Sequence, residues 1–291
     1  MDSKDFRLLV ALHEDGRQSL QSLGRRVSLS APAVRERLRR LEEREVLQGY
    51  WLSLDPAIFR RMDLFAFFGG GWSRDDAIRV LGASDVAWVA RKFDGGLTVK
   101  AWPLDAQRAL ATLSDLLGAP PDGHVVAPST QRDELSPMDW RVIDALVDDP
   151  RAPISALAGA TGLSPKTVRK HLAGVTDAGV ASILPRLGSL TGAGDLVYHL
   201  AVHGTASLAE LRRVLGDAVL IHETRIPPLR YLFCRAGGLG ELTAKTHAAG
   251  RIPGIESVRV TLNHEMLVGT PFVHHLVQDR IEAWTKARPR K

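Results

Sequence analysis

Two short stretches of this chain carry cations in a pattern suited to holding anions. Ser30 is followed by Pro32, Arg35, Glu36, Arg37, Arg39 and Arg40, and Ser164 by Lys166, Thr167, Arg169, Lys170 and His171. A guanidinium presents a fork of N–H donors that fits a phosphate or the acceptor edge of a guanine, and an ammonium serves as a point charge for either. Each cluster opens on a serine able to cap a helix, so the donors stand on the first turns of a helix, where free amides also favour an anion. Val34, Leu38 and Leu41 recur at four- and three-residue steps and define an apolar side, which turns Arg35, Glu36 and Arg39 away from it. A solvated amphipathic helix has the same pattern; what argues for contact is that the arrangement occurs twice.

A second group of polar residues lies toward the C-terminus. His199 and His203 alternate onto one face of a strand, Arg259, Thr261 and Asn263 onto one face of another, with His222, Arg225, Arg230, Tyr231 and Cys234 nearby in strand order. Paired histidines can bind a metal, a macrocycle or an anion, but no carboxylate stands at a fixed spacing from these. They are expected to be hydrogen-bonded on a sheet face that meets another domain. His199, His203, His222, Arg225 and Arg259 are the candidates for a small-molecule effector; no metal, cofactor or catalytic residue is expected. Cys234 is the sole cysteine, which excludes an internal disulfide and a cysteine-rich zinc module within one chain. No glycine-rich phosphate loop, Gly-x-Ser-x-Gly elbow or His-Glu-x-x-His string occurs, so nucleotide hydrolysis, esterase and zinc-protease chemistry lack support.

The elements that must position these residues come as a repeat. Asp5-Phe6-Arg7-Leu8-Leu9 lies opposite Asp139-Trp140-Arg141-Val142-Ile143, and the offset of 134 continues without a gap through Leu23 and Leu157, Leu29-Ser30 and Leu163-Ser164, Val34-Arg35 and Val168-Arg169, and Val46 and Val180. Agreement concentrated at apolar and capping sites reads as duplication of one unit. Phe6, Leu9 and Val10 form the apolar side of a first helix, which Asp2 or Ser3 can cap; Leu20, Leu23 and Val27 form that of a second. Ser28-Leu29 turns the chain into the third. The stretch Val46 to Leu54 reads as a short β-ribbon, a wing. Three short helices, the last capped and basic, are the geometry that sets a helix N-terminus in the DNA major groove.

Strand and helix signals then follow in the order βαββαβ, twice: from Asp63 to Val126, with Asp94-Gly95-Gly96 as a hairpin turn, and from Leu196 to Leu262. That is the ferredoxin-like split pattern. The fold class is α+β, two winged helix-turn-helix domains alternating with two ferredoxin-like βαββαβ domains. Boundaries are expected at 1–60, 61–128, 129–190 and 191–291, the last including a C-terminal helix and a basic tail.

Leu29-Ser30, Val34, Arg37, Arg40-Leu41-Glu42 and Val46-Leu47-Gln48-Gly49-Tyr50 in the first unit, with Leu163-Ser164, Val168 and Leu172 in the second, resemble the Lrp/AsnC family of feast/famine regulators, over nearly the whole chain. The resemblance implies sequence-specific binding of double-stranded DNA, an amino acid or other metabolite as effector, domains that pair sheet to sheet, and transcription regulation rather than catalysis. It implies an intrachain pseudo-dimer, with further homo-oligomers. The family carries a Gly-Asp or similar pair entering the third strand; here Gly95-Gly96 and Pro227-Pro228 stand instead. The same layout also resembles the enzymes that decarboxylate sirohaem, where a macrocycle lies between paired domains; the stretch from His222 to Cys234 carries that alternative. In composition, 38 Lys and Arg against 33 Asp and Glu give a net charge of +5, which fits a polyanionic partner. With no run of about 18 uncharged apolar residues and no basic-then-apolar leader, a cytoplasmic protein without a membrane partner is expected.

Overall fold

The computed structural model describes residues 1–129, 134–188, 195–225 and 228–287. Several of its helices begin where a side chain takes up their opening amides. α1 (Ser3–Glu14) follows Asp2, whose carboxylate accepts the N–H groups of Lys4 and Asp5 at 2.8 and 2.9 Å. α2 (Leu20–Val27) is capped by Ser19 and α3 (Ala31–Glu43) by Ser30, with Pro32 in a first turn where its missing amide costs nothing. Phe6, Leu9, Leu23, Val27, Val34, Leu38 and Leu41 are all buried.

In the second copy, α6 (Pro137–Asp148), α7 (Ile154–Thr161) and α8 (Pro165–Asp177) each begin and end 134 residues after their counterparts. The sequence repeat is thus a repeat of elements. The turn between second and third helices needs a left-handed residue: Ser28 holds it at φ 56° in the first copy, Gly162 at φ 66° in the second. Only glycine does so without steric cost. After the third helices come β1 (Leu47–Leu54) and β6 (Ala181–Leu187), which pair with each other in a two-stranded sheet. Each wing is one strand, and the ribbon needs both copies.

Two compact units result. One contains Met1–Ala11, Gln18–Gly49 and Leu187–Glu265. It holds the first helix-turn-helix with β7 (Leu196–Gly204), α9 (Leu208–Leu215), β8 (Val219–Arg225), β9 (Pro228–Ala236), α10 (Leu239–Gly250) and β10 (Ile255–Thr261). The strand order β10-β7-β9-β8 is ferredoxin-like. Leu200, Val202, Leu232 and Cys234 pack with Leu211, Leu215 and Ala249 of the helices. The alternate residues of the strands face the other way, and there Phe6 of α1 stacks on Phe233 with centroids 5.3 Å apart. The N-terminal ammonium lies 2.7 Å from Asp195.

The other unit contains Leu12–Arg17, Tyr50–Arg186 and Met266–Lys291. Here β2 (Asp63–Phe68), α4 (Arg74–Leu81), β3 (Val86–Lys92), β4 (Leu97–Ala101), α5 (Ala106–Leu117) and β5 (Gly123–Ala127) accompany the second helix-turn-helix. Burial alternates along β2, with Leu64, Ala66 and Phe68 inside, as one covered sheet face requires. The sheet gains a fifth strand, β11 (Asn263–Val268), on the edge of β3, in the order β11-β3-β4-β2-β5. α11 (Thr270–Ala287) then brings Val273, Leu276 and Val277 into one core with Trp140, Ile143 and Val147. Phe59 packs against both Trp102 and Trp140, at 6.0 and 5.5 Å.

The C-terminal helix read from the sequence is therefore present, in the unit of the first α/β segment; β11 was not legible. The basic tail at 288–291 lies outside the described residues. Among the described residues no helix is long and apolar enough to cross a membrane.

Candidate nucleic-acid interface

With Val34, Leu38 and Leu41 turned inward, α3 leaves Arg35, Arg39 and Arg40 exposed and Glu36 and Arg37 half-buried. Most of these charges are engaged within the fold. Arg37 Nη1 lies 2.7 Å from both Asp2 and Asp5, tying α3 to the start of α1. Arg39 forks onto Glu36 at 2.9 and 2.8 Å and also reaches Glu43, while Arg40 Nε lies 2.9 Å from Glu36. Hydrogen bonds from Arg39, then Arg40, hold the Glu36 carboxyl down at about 2, so it stays charged. Of the four arginines of α3, Arg35 alone makes no ion pair among the described residues. Pro32, with Ala31 and Ala33 beside it, brings no donor.

The arrangement on α8 differs. Ser164 caps the helix, accepting the Thr167 N–H at 3.1 Å, and its hydroxyl lies 2.8 Å from that of Thr167. Val168 and Val175 are buried, while Lys166, Arg169 and Lys170 are exposed and, among the described residues, unpaired. His171 Nδ1 lies 2.7 Å from Asp139, the counterpart of the bond between Arg37 and Asp5, at a sequence separation of 32 in both cases. Arg37 and His171, read from the sequence among the DNA-facing residues, are thus placed as clamps between the first and third helices. Asp5 and Asp139 repeat at the same offset as Arg37 and His171, so the clamp recurs with the repeat.

Two contributions escaped the sequence reading. Arg25 of α2 is exposed and, with Gln21, Ser28 and Ser30, lines a shallow concavity beside the start of α3; at the matching position α7 has Gly159. Arg17 donates to the carbonyls of Pro150 and Ala152 at 2.6 and 2.7 Å, bracing the loop that leads into α7.

The histidine group is brought together in part. Register sets Thr261 opposite His199, Arg259 opposite Ala201 and Ser257 opposite His203, so these side chains share one sheet face. The His199 ring stacks on Tyr231 at 5.3 Å and meets the Asn263 amide at 3.3 Å. Phe233, on the same face, carries Phe6 of α1. Burial pushes the Tyr231 hydroxyl up to about 12 and the Cys234 thiol, on the helix side, also to about 12, so neither is a nucleophile near neutrality. The side chains of His222 and Arg225, and Pro227, lie outside the described residues. Among the described residues no group of three or more metal-binding side chains forms.

A model of the AsnC-type helix-turn-helix domain matches residues 1–42 and 135–172. The Bkd operon transcriptional regulator of Pseudomonas aeruginosa is 44% identical over 55 residues, 19% of this chain and 36% of that protein. The HTH-type transcriptional regulator LrpA of Mycobacterium tuberculosis is 45% identical over 56 residues, 19% of this chain and 37% of that protein. The match thus spans little more than a third of these curated relatives. Among solved structures, siroheme decarboxylase NirDL in co-complex with an iron-uroporphyrin III analogue aligns over 97% of this chain and 100% of its own, at 11% identity and a TM-score of 0.47, too remote a likeness to bear on activity.

Proposed function

From a chain that carries the AsnC-type helix-turn-helix of the Lrp/AsnC family twice, we propose a transcription regulator whose single polypeptide brings two unlike reading heads to one asymmetric operator in double-stranded DNA. The observation that carries this reading is α8: a serine-capped helix seated on buried valines, with Lys166, Arg169 and Lys170 exposed on its first turns. Donors so placed reach phosphates and base edges when a helix N-terminus enters the major groove. Paired heads bind sites whose symmetry mirrors their own, and heads that differ call for a site without a true palindrome.

The pairing of β1 with β6 supports treating the chain as a covalent pseudo-dimer, since a strand that is solitary in each copy finds its partner in the other. An effector acting at the His199, His203 and Arg259 face belongs to the same reading, because α1 of the first head rests on that face through Phe6. Anisotropy titration of labelled duplex against the full chain tests the proposal. Affinity must fall with salt as counterions are released, and Lys166→Ala with Arg169→Ala must weaken binding to the selected duplex. Affinity indifferent to salt, or unchanged in the variant, would contradict it. Footprinting at single-base resolution decides the operator's form: a perfect palindrome, bound equally well when either half is duplicated, counts against unlike heads.

A further inference from the structure

We propose that the two heads divide the work: the second copy reads base edges through α8, and the first grips the sugar-phosphate backbone through α2 and the start of α3. This rests on the DNA-binding reading and goes further, because it assigns specificity to one head.

Base discrimination needs donors or acceptors held at fixed positions on the first turns of the inserted helix, whereas a phosphate oxygen accepts from any nearby donor. At matching positions α8 offers Lys166, Thr167, Arg169 and Lys170 where α3 offers Pro32, Ala33, Arg35 and Glu36. Two of the four α3 residues have no polar side-chain atom, and Glu36 is held by Arg39 and Arg40. The balance of charge points the same way. α3 sets four arginines against three glutamates, while α8 sets two lysines and an arginine against Asp177 alone, on its last turn. Carboxylates left on the outward side of α3 oppose its deep entry into a groove walled by phosphates.

The first copy instead has a set suited to the backbone. Arg25, Ser28 and Ser30 line one shallow concavity, and Arg35 makes no ion pair among the described residues. The second copy replaces Arg25 by Gly159 and Ser28 by Gly162, so it has no equivalent grip.

The test uses the full chain, a duplex it selects from a random-sequence pool, and a scrambled duplex of the same composition. The ratio of the two Kd values measures sequence reading. Lys166→Ala with Lys170→Ala is expected to lower that ratio about tenfold or more. Arg25→Ala with Arg35→Ala is expected to weaken both duplexes by the same factor, keep the ratio, and lower the magnitude of the salt slope by up to about 2. All four residues are exposed; should either alanine pair melt below the parent, Lys166→Gln with Lys170→Gln, and Arg25→Gln with Arg35→Gln, carry the same test. A ratio that survives the lysine variant, or collapses in the arginine variant, overturns the division of work while leaving DNA binding intact. Absence of salt-dependent binding to any duplex overturns this inference together with the reading beneath it.

Discussion

The two helix-turn-helix units have element boundaries that coincide at an offset of 134 residues, and yet their surfaces present opposite chemistry. On α3 three of the four arginines are paired: Arg37 with Asp2 and Asp5, Arg39 and Arg40 with Glu36. On α8 the cations are left to solvent. The clamp between first and third helices survives in both, as an arginine in one copy and a histidine in the other. Duplication preserves what holds the three helices together, because burial constrains it, and releases what faces outward. A count of basic residues would rank α3 as the helix with more available cations; the pairing of those residues reverses the order.

Four measurements would break or sharpen this comparison. The largest effect is expected where the copies bury their first aromatic. Trp140 packs against Phe59 and belongs to the core that α11 completes, so Trp140→Ala should cost about 3–5 kcal/mol in urea unfolding. Phe6→Ala, at the matching position, should cost a similar amount but in the other unit, where Phe6 stacks on Phe233. If the two variants unfolded through the same first transition, the grouping of each head with its own α/β sheet would be wrong.

Next come the clamps. Arg37→Ala and His171→Ala should each destabilise by about 1 kcal/mol, the usual worth of a charge-assisted bond discounted for partial exposure, and do so without abolishing binding to duplex. A loss of DNA affinity with unchanged melting would move either residue back to the DNA face.

The turn between second and third helices should respond in opposite senses. Gly162→Ala places a Cβ on a left-handed residue at φ 66° and is expected to cost about 1 kcal/mol, although nothing lies within 4 Å to clash. Ser28→Gly, which removes the same strain from the first copy, should stabilise by about 0.5 kcal/mol. Equal and same-signed shifts in thermal melts would show that the turn is not what differs.

The smallest effect concerns pH. His274 of α11 lies 3.1 Å from Asp144 and 3.0 Å from Asp148 of α6, and Gln278 also donates to Asp144. Burial disfavours the charged ring, but the carboxylates of Asp148 and Asp144 outweigh it and raise the pKa above 6.5. A raised folded value means the stabilisation is complete below the unfolded value and fades as pH climbs through the folded one. Relative to His274→Gln, the parent should lose a few tenths of a kcal/mol, at most about 1, between roughly pH 6 and 8. The first copy has Val10 where the second has Asp144, so it gives no counterpart. A parent and variant with parallel pH profiles would remove His274 from the account.

What the sequence by itself determined were the features whose cause is local. Apolar spacing set the six helices of the two heads, serines at Ser30 and Ser164 set where the third helices start, and alternation with turn residues set the βαββαβ order of both α/β segments. Each depends on neighbours within a few residues, and so each is written in a short window. Tertiary structure alone decided the matters that depend on residues far apart. A strand edge carries no label for its partner, since backbone N–H and C=O groups are the same in every strand. Hence neither the pairing of β1 with β6 nor the addition of β11 to β3 could be read beforehand. Nor could the availability of an arginine: Arg35 and Arg37 are alike in sequence, but Arg37 falls beside Asp2 and Asp5 once α1 and α3 pack. Whether a cation is free is a property of the space around it, and only the fold fixes that space.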